Sequence, residues 1–156
     1  IAHTLQDKRI AIVPIGGCGN IKHWKTLQLA NQFGIPYCVF LDSDLGTSEH
    51  QTNKDKIAEL HADGIKAYLT KKREPENYIN VDCLQLPANS NFTFTDTDDA
   101  KTLIANEKRS RKQNVLEDYW SLMTVEQIRD AEMYTEEGEN RFEFTEMLID
   151  ISTVCD

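Results

Sequence analysis

The stretch that most constrains this chain is Ile35-Pro36-Tyr37-Cys38-Val39-Phe40-Leu41, an apolar run that ends in Asp42-Ser43-Asp44-Leu45-Gly46. A continuous apolar run bounded by turn residues suits a strand buried on both faces of a parallel sheet. Carboxylates just past such a strand sit at the sheet's carboxyl edge, where open α/β proteins bind ligands. Strand alternation lets Asp42 and Asp44 point the same way, provided the extended geometry persists. Two hard oxygen ligands converging on one point suit Mg²⁺ or Mn²⁺. Taken alone, an Asp-x-Asp is equally a pair of surface turn aspartates; the buried-strand pattern before it favours a site.

The flanking chain supports an α/β reading. Ile10-Ala11-Ile12-Val13-Pro14-Ile15 is a short β-branched run and predicts a first strand. Gly16-Gly17-Cys18-Gly19-Asn20 follows as a glycine-rich turn, with Asn20 as N-cap of a helix over 21–33. Gly34 supplies the residue past that helix, and the Asp-x-Asp strand comes next. Short connections of this kind favour a parallel strand–helix–strand unit. A polar loop is expected over 47–53, then a helix over 54–63 stopped by Gly64, then a third strand over 65–69. If the strands are parallel, Lys71-Lys72-Arg73-Glu74-Pro75-Glu76 emerges beside the Asp-x-Asp, with Pro75 opening a short helix over 76–79.

Beyond Val81 the pattern changes. Three helical stretches are predicted, over 98–114, 115–131 with a break at Thr124, and 141–154. Thr124 with Gln127 makes a capping box, which places a new helix start there. The Glu136-Glu137-Gly138-Glu139 run reads as a solvated turn. The expected organisation is a Rossmann-like parallel α/β core over 1–84 and a helical C-terminal extension over 85–156. The chain starts at Ile1 rather than Met and reads as a fragment or processed product.

A formal charge of −9 argues against a generic polyanion-binding surface, since phosphates would be repelled at long range. A nucleic-acid enzyme stays open, because catalytic metals neutralise carboxylates locally. Cys18, Cys38, Cys83 and Cys155 show no zinc-ligand spacing and read as reduced cytoplasmic thiols. No apolar stretch approaches the roughly 20 residues that span a bilayer.

Several other groups have candidate chemistry. The Gly16–Asn20 turn could approach a phosphate through backbone N–H groups, or could be a tight turn and nothing more. Glu74 and Glu76 could ligate a cation, and the neighbouring Lys71, Lys72 and Arg73 could hold phosphates. Lys101, Lys108, Arg109, Arg111 and Lys112 form the main basic patch, read either as a solvated helix face or as phosphate contacts. His3, His23, His50 and His61 form no spaced set and receive no role.

Together, Val13-Pro14-Ile15-Gly16-Gly17-Cys18-Gly19-Asn20-Ile21, Gly34-Ile35-Pro36 leading into Leu41-Asp42-Ser43-Asp44, and Lys72-Arg73-Glu74-Pro75-Glu76-Asn77-Tyr78-Ile79 resemble the TOPRIM domain of the OLD (overcoming lysogenisation defect) family nucleases. The resemblance covers about the first half of the chain. It implies a metal-dependent endonuclease that cleaves DNA phosphodiesters with Mg²⁺ or Mn²⁺ at a two-metal site. Asp42, Asp44, Glu74 and Glu76 would be the metal ligands, and Lys112 or Lys108 the lysine that stabilises the transition state. It further implies an ATPase domain ahead of this segment as the source of ATP dependence, a bacterial or phage setting, and a homodimer.

One departure stands out. TOPRIM domains open with a strand carrying a Glu-Gly motif, and this chain has no glutamate before Glu49. The expectation is that such a strand precedes Ile1, and that the isolated chain is inactive or very weak. Two other classes compete: a nucleotide-sugar or phosphoryl transferase using Asp-x-Asp with Mg²⁺, and a non-catalytic interaction module. A transferase would be thermally protected by a nucleoside diphosphate, whereas an interaction module would respond to neither nucleotide nor metal.

Overall fold

The computed structural model describes residues 7, 9–15, 20 and 29–154. The glycine turn at 16–19 and the first part, 21–28, of the helix predicted over 21–33 lie outside these residues. The end of that helix is seen as α1 (Leu29–Gln32), and Gly34 follows it at φ +62°, the left-handed conformation a helix stop favours. Next come β1 (Cys38–Leu41), α2 (Glu49–Ala62) and β2 (Lys66–Leu69). β1 and β2 pair in parallel with Cys38 opposite Lys66 and Leu41 opposite Leu69. The architecture is therefore mixed α/β: a small parallel sheet flanked by helices, with further helices C-terminal to it.

α2 crosses from one strand to the other and seals one face. Leu60, Leu41 and Ala67 are buried together, with Ile57, Val39, Ile65, Leu69 and Ile15 packed around them. Burying a leucine such as Leu60 stabilises by about 1.5–3 kcal/mol. The loop predicted over 47–53 is mostly absent, because α2 starts at Glu49. The Thr47 hydroxyl donates to the Asp44 carbonyl and accepts from the Glu49 N–H, so the turn after Asp44 folds straight into helix.

Two expectations about the sheet need correction. Residues 10–15 form no strand, and Ile12 and Val13 are 76% and 58% exposed. A strand exists only through a ladder with a neighbour, and among the described residues nothing pairs with 10–15. For the same reason β1 is not buried on both faces: Phe40 is exposed, with its ring edge 6.1 Å from Phe144.

The second half has its own core. Ile79, Leu84, Ala100, Ile104, Ala105 and Val115 are buried together. Two 3₁₀ turns (Pro75–Tyr78 and Val81–Leu84) lead into α3 (Ala100–Lys108), a 3₁₀ turn (Lys112–Asn114), α4 (Val115–Trp120) and α5 (Val125–Glu132). Ile79 and Leu84 thus pack with the helices rather than with the sheet. The predicted break at Thr124 is present, its hydroxyl accepting from the Gln127 N–H while the Gln127 amide oxygen accepts from the Thr124 N–H.

Two strands were not expected. β3 (Met133–Glu136) and β4 (Glu139–Phe142) form an antiparallel hairpin around the glutamate-rich turn. Glu137 and Gly138 both have positive φ, at 53° and 84°, as a two-residue type I′ turn requires. α6 (Glu143–Val154) then folds back: Asp150 holds Lys66 and the Tyr68 hydroxyl on β2, and Phe144 packs on Tyr78 and Trp120. Among the described residues no helix is long and apolar enough to cross a membrane.

Candidate metal centre

The parallel pairing brings two segments to the same edge. Past β1 and β2 the chains stay stitched together. The Thr70 N–H donates to the Leu41 carbonyl at 3.0 Å, and the Ser43 N–H donates to the Thr70 hydroxyl oxygen at 2.7 Å. The Ser43 hydroxyl donates to the Lys72 carbonyl at 2.6 Å, and the Asp44 N–H donates to the Arg73 carbonyl at 2.9 Å. Ser43 is buried, so Asp42 and Asp44 flank an inward-facing serine. Extended geometry does not persist through the motif, because Asp44 adopts φ +49°, a left-handed conformation that aspartate tolerates better than most residues. His50, on the first turn of α2, sets its Nδ1 2.8 Å from the Ser43 carbonyl and closes the turn.

Glu74 and Glu76 are held on the second segment. The Glu74 N–H donates to the Asn77 side-chain oxygen, and the Asn77 amide donates to the carbonyls of Thr95 and Asp98. The 3₁₀ turn over Pro75–Tyr78 is thereby tied to the loop that opens α3. Asp99 caps α3 by accepting from the Thr102 N–H. This delivers Lys101 to the acidic cluster. Its ammonium lies 3.0 Å from Glu76 Oε1 and 3.5 Å from Glu74 Oε2, and its backbone N–H donates to Glu74 Oε1.

The cluster carries more negative charge than Lys101 balances. Asp42 is pushed up to about 6, by burial first and then by Glu76, Asp44 and Glu74, with Lys101 pulling it back. Glu76 is also raised, chiefly by burial, against the pull of Lys101. Burial alone would lower the Lys101 ammonium, yet its hydrogen bond to Glu76 and the charges of Glu74 and Asp42 hold it above its ordinary value. Among the described residues, the buried Glu76 Oε2 and Asn53 Oδ1 have no hydrogen-bond partner. Such orphans cost roughly 1–3 kcal/mol each and call for an explanation.

The structure thus brings Asp42, Asp44, Glu74 and Glu76 to one sheet edge. It does not bring Lys112 or Lys108 there. Lys108 donates to the Leu84 carbonyl at 2.6 Å, and Lys112 acts on Asp99. The lysine at the carboxylates is Lys101. Lys72 turns away to Asp96 at 3.1 Å, and Arg73 lies 3.9 Å from Asp99.

Residues 1–44 match the family model for the TOPRIM domain of overcoming lysogenization defect protein-like proteins. The match ends on Asp44, so it contains both aspartates of the motif. TOPRIM domains are metal-binding domains of nuclease or primase type, and that coarse assignment is what the match carries. No curated protein and no solved structure matches the chain.

A divalent metal is the group such a domain implies. The TOPRIM-like edge fits it in chemistry: the donors are all hard oxygens, their charge is undercompensated, and Glu76 Oε2 is buried without a partner. As placed, no three Asp, Glu, His or Cys side chains among the described residues are gathered into a metal cage. Lys101 holds Glu74 and Glu76 instead, so a cation would have to draw the aspartates and glutamates together against that ion pair.

Lys101 was visible in the sequence by an anomaly. It sits in the first turn of α3, where the helix dipole disfavours cations and where no acidic residue stands. A lysine tolerated there signals acidic partners from elsewhere in the fold. Asn53 gave no such signal, because the predicted loop ran to 53; its place on the buried face follows from the earlier start of α2 at Glu49.

Proposed function

We propose that this chain carries part of the catalytic centre of a metal-dependent DNA endonuclease, with Asp42, Asp44 and Glu76 as ligands and Glu74 as support. The observation that carries this reading is that two parallel strand ends bring Asp42, Asp44, Glu74 and Glu76 to one edge, where Lys101 pairs with both glutamates and Asp42 is pushed up to about 6. A divalent cation bound there supplies charge neutralisation at a phosphate and activation of a water. The protein's own groups do the rest. Ser43 and Thr70 fix the two aspartates at the strand end. Lys101 offers an ammonium to an oxygen of the scissile phosphate, where negative charge grows as water attacks phosphorus and the P–O ester bond breaks.

The family's Glu-Gly strand has no counterpart within these residues, so this reading assigns full hydrolysis to a protein that carries both. Association with an ATPase domain belongs to the same proposal and rests on the resemblance. The test is nicking of supercoiled plasmid in Mn²⁺ by a protein carrying these residues together with a Glu-Gly strand. Nicking should occur and be lost in Asp42→Asn and in Lys101→Met. Undiminished nicking by both variants would refute the assignment.

A further inference from the structure

Asn53 has no place in the sequence pattern that builds α2. Positions 53, 57 and 60 share one helix face, and the other two are Ile57 and Leu60, which pack on the sheet. A leucine or isoleucine would be expected at 53. Instead the residue is an asparagine, 1% exposed, and it sits against the Asp-x-Asp.

Its Nδ2 donates to the Asp42 carbonyl at 3.1 Å and to Asp44 Oδ2 at 2.8 Å. Both partners are acceptors, so only this orientation of the amide is satisfied. A rotated amide would set its oxygen against a carboxylate and a carbonyl. The satisfied orientation leaves Oδ1 buried and unpartnered. An aspartate at 53 would lose the donor, and a leucine would remove the orphan acceptor and suit the stripe. The residue present is thus a poor choice for packing and a good one for holding Asp44.

We infer that Asn53 is a positioning residue for the metal centre. Its amide takes Asp44 Oδ2 and the Asp42 carbonyl together, so that Asp44 presents Oδ1 to a cation and both aspartates move as one unit. This inference rests on the metal-binding reading given above. Partners of this kind, one shell behind the ligands, commonly change metal affinity by roughly 10–100-fold when removed.

The experiment is Mn²⁺ titration by calorimetry, with thermal melting in parallel, on the chain and on Asn53→Leu, Asn53→Ala and Leu60→Ala. Asn53→Leu should keep or raise the melting midpoint and still bind Mn²⁺ roughly 10–100-fold more weakly. Asn53→Ala should show the same loss of affinity and supplies the answer if the leucine is too large. Leu60→Ala, in the same helix and packed on the sheet without a bond to either aspartate, should melt earlier and keep wild-type affinity. A purely structural asparagine would show the reverse, with lowered midpoints and unchanged affinity, and would overturn the inference alone. If the unsubstituted chain binds no Mn²⁺, the metal-binding reading falls and the inference falls with it.

Discussion

Replacing Lys101 with methionine tests whether one ammonium holds the acidic edge together. The substitution keeps the aliphatic stem and removes the charge that lies 3.0 Å from Glu76 Oε1 and 3.5 Å from Glu74 Oε2. The Glu76 side chain is only 5% exposed, which places the pair toward the buried end of the scale. Breaking a fully buried pair costs about 3–5 kcal/mol. Two features lower that figure here. The Lys101 side chain is 34% exposed, and Glu76 is already pushed toward its neutral form, so it can escape by taking up a proton. The expected loss is therefore roughly 1–3 kcal/mol at pH 8, which for a chain of this size is about 2–12 °C in the melting midpoint.

The pH dependence of that loss distinguishes electrostatics from lost packing. Asp42 and Glu76 have folded values above their ordinary ones. Their contribution to stability is present at low pH and is lost as pH rises through the folded values. Removing Lys101 raises those values further, so the deficit should be full at pH 8 and shrink toward pH 4. Added Mn²⁺ should raise the melting midpoint of the variant more than that of the parent, because a cation can take the place of the ammonium. Thermal melts followed by circular dichroism at both pH values and with Mn²⁺ suffice. A midpoint equal to the parent's at pH 8, or a deficit that does not change with pH, would refute the electrostatic account.

Further outcomes follow from the same geometry. Asp42 must lose its proton to ligate a cation, so Mn²⁺ affinity should rise as pH increases through about 6 and level off above it; calorimetry showing a flat affinity between pH 5 and pH 7 would contradict its role. Asp42 keeps substantial exposure, so its own contribution to the pH dependence of folding should be only about 1 kcal/mol after solvent screening, present below 3.8 and lost through about 6. Gly46 has φ +84°, and a Cβ there would lie 2.9 Å from Thr97 Cβ, so Gly46→Ala should cost roughly 1–3 kcal/mol, read as an earlier thermal transition; an unchanged transition would mean that the turn and the 95–99 loop do not approach each other as described.

The β1–α2–β2 unit was legible because its signals were strong and local. The apolar run before Asp42, the glycines at 34 and 64 and the capping box at Thr124 each specify one conformation, and the structure has them. The β3–β4 hairpin escaped because its residues are mostly polar and exposed, so no alternation marks its strands. The start of α2 was placed too late because Thr47, Glu49 and His50 look like loop residues, although Thr47 and His50 bond back onto the Asp-x-Asp turn and the Glu49 N–H donates to Thr47. Residues 10–15 carry strand propensity, but propensity cannot supply the neighbouring strand a ladder needs.

The carboxylates were legible for a related reason. Asp42, Asp44, Glu74 and Glu76 follow two apolar runs whose parallel pairing could be anticipated, and that pairing sets them at one edge. Lys101 and Asn53 were not selected because each reaches the site across the fold: Lys101 from a helix in the second half, and Asn53 from the buried face of α2. In both cases a residue breaks the preference of its own helix, a cation at the positive end of α3 and an amide in the apolar stripe of α2.

The central claim is that the Asp42–Asp44 and Glu74–Glu76 edge binds a divalent cation. Electron paramagnetic resonance of Mn²⁺ titrated into the chain tests it most directly, because free hexaaqua Mn²⁺ gives a sharp six-line signal that diminishes on binding. The predicted result is loss of that signal with the parent chain at pH 7.5 and its persistence with Asp42→Asn and with Glu76→Gln. A full six-line signal in the presence of the parent chain, or equal loss with both variants, would contradict the account.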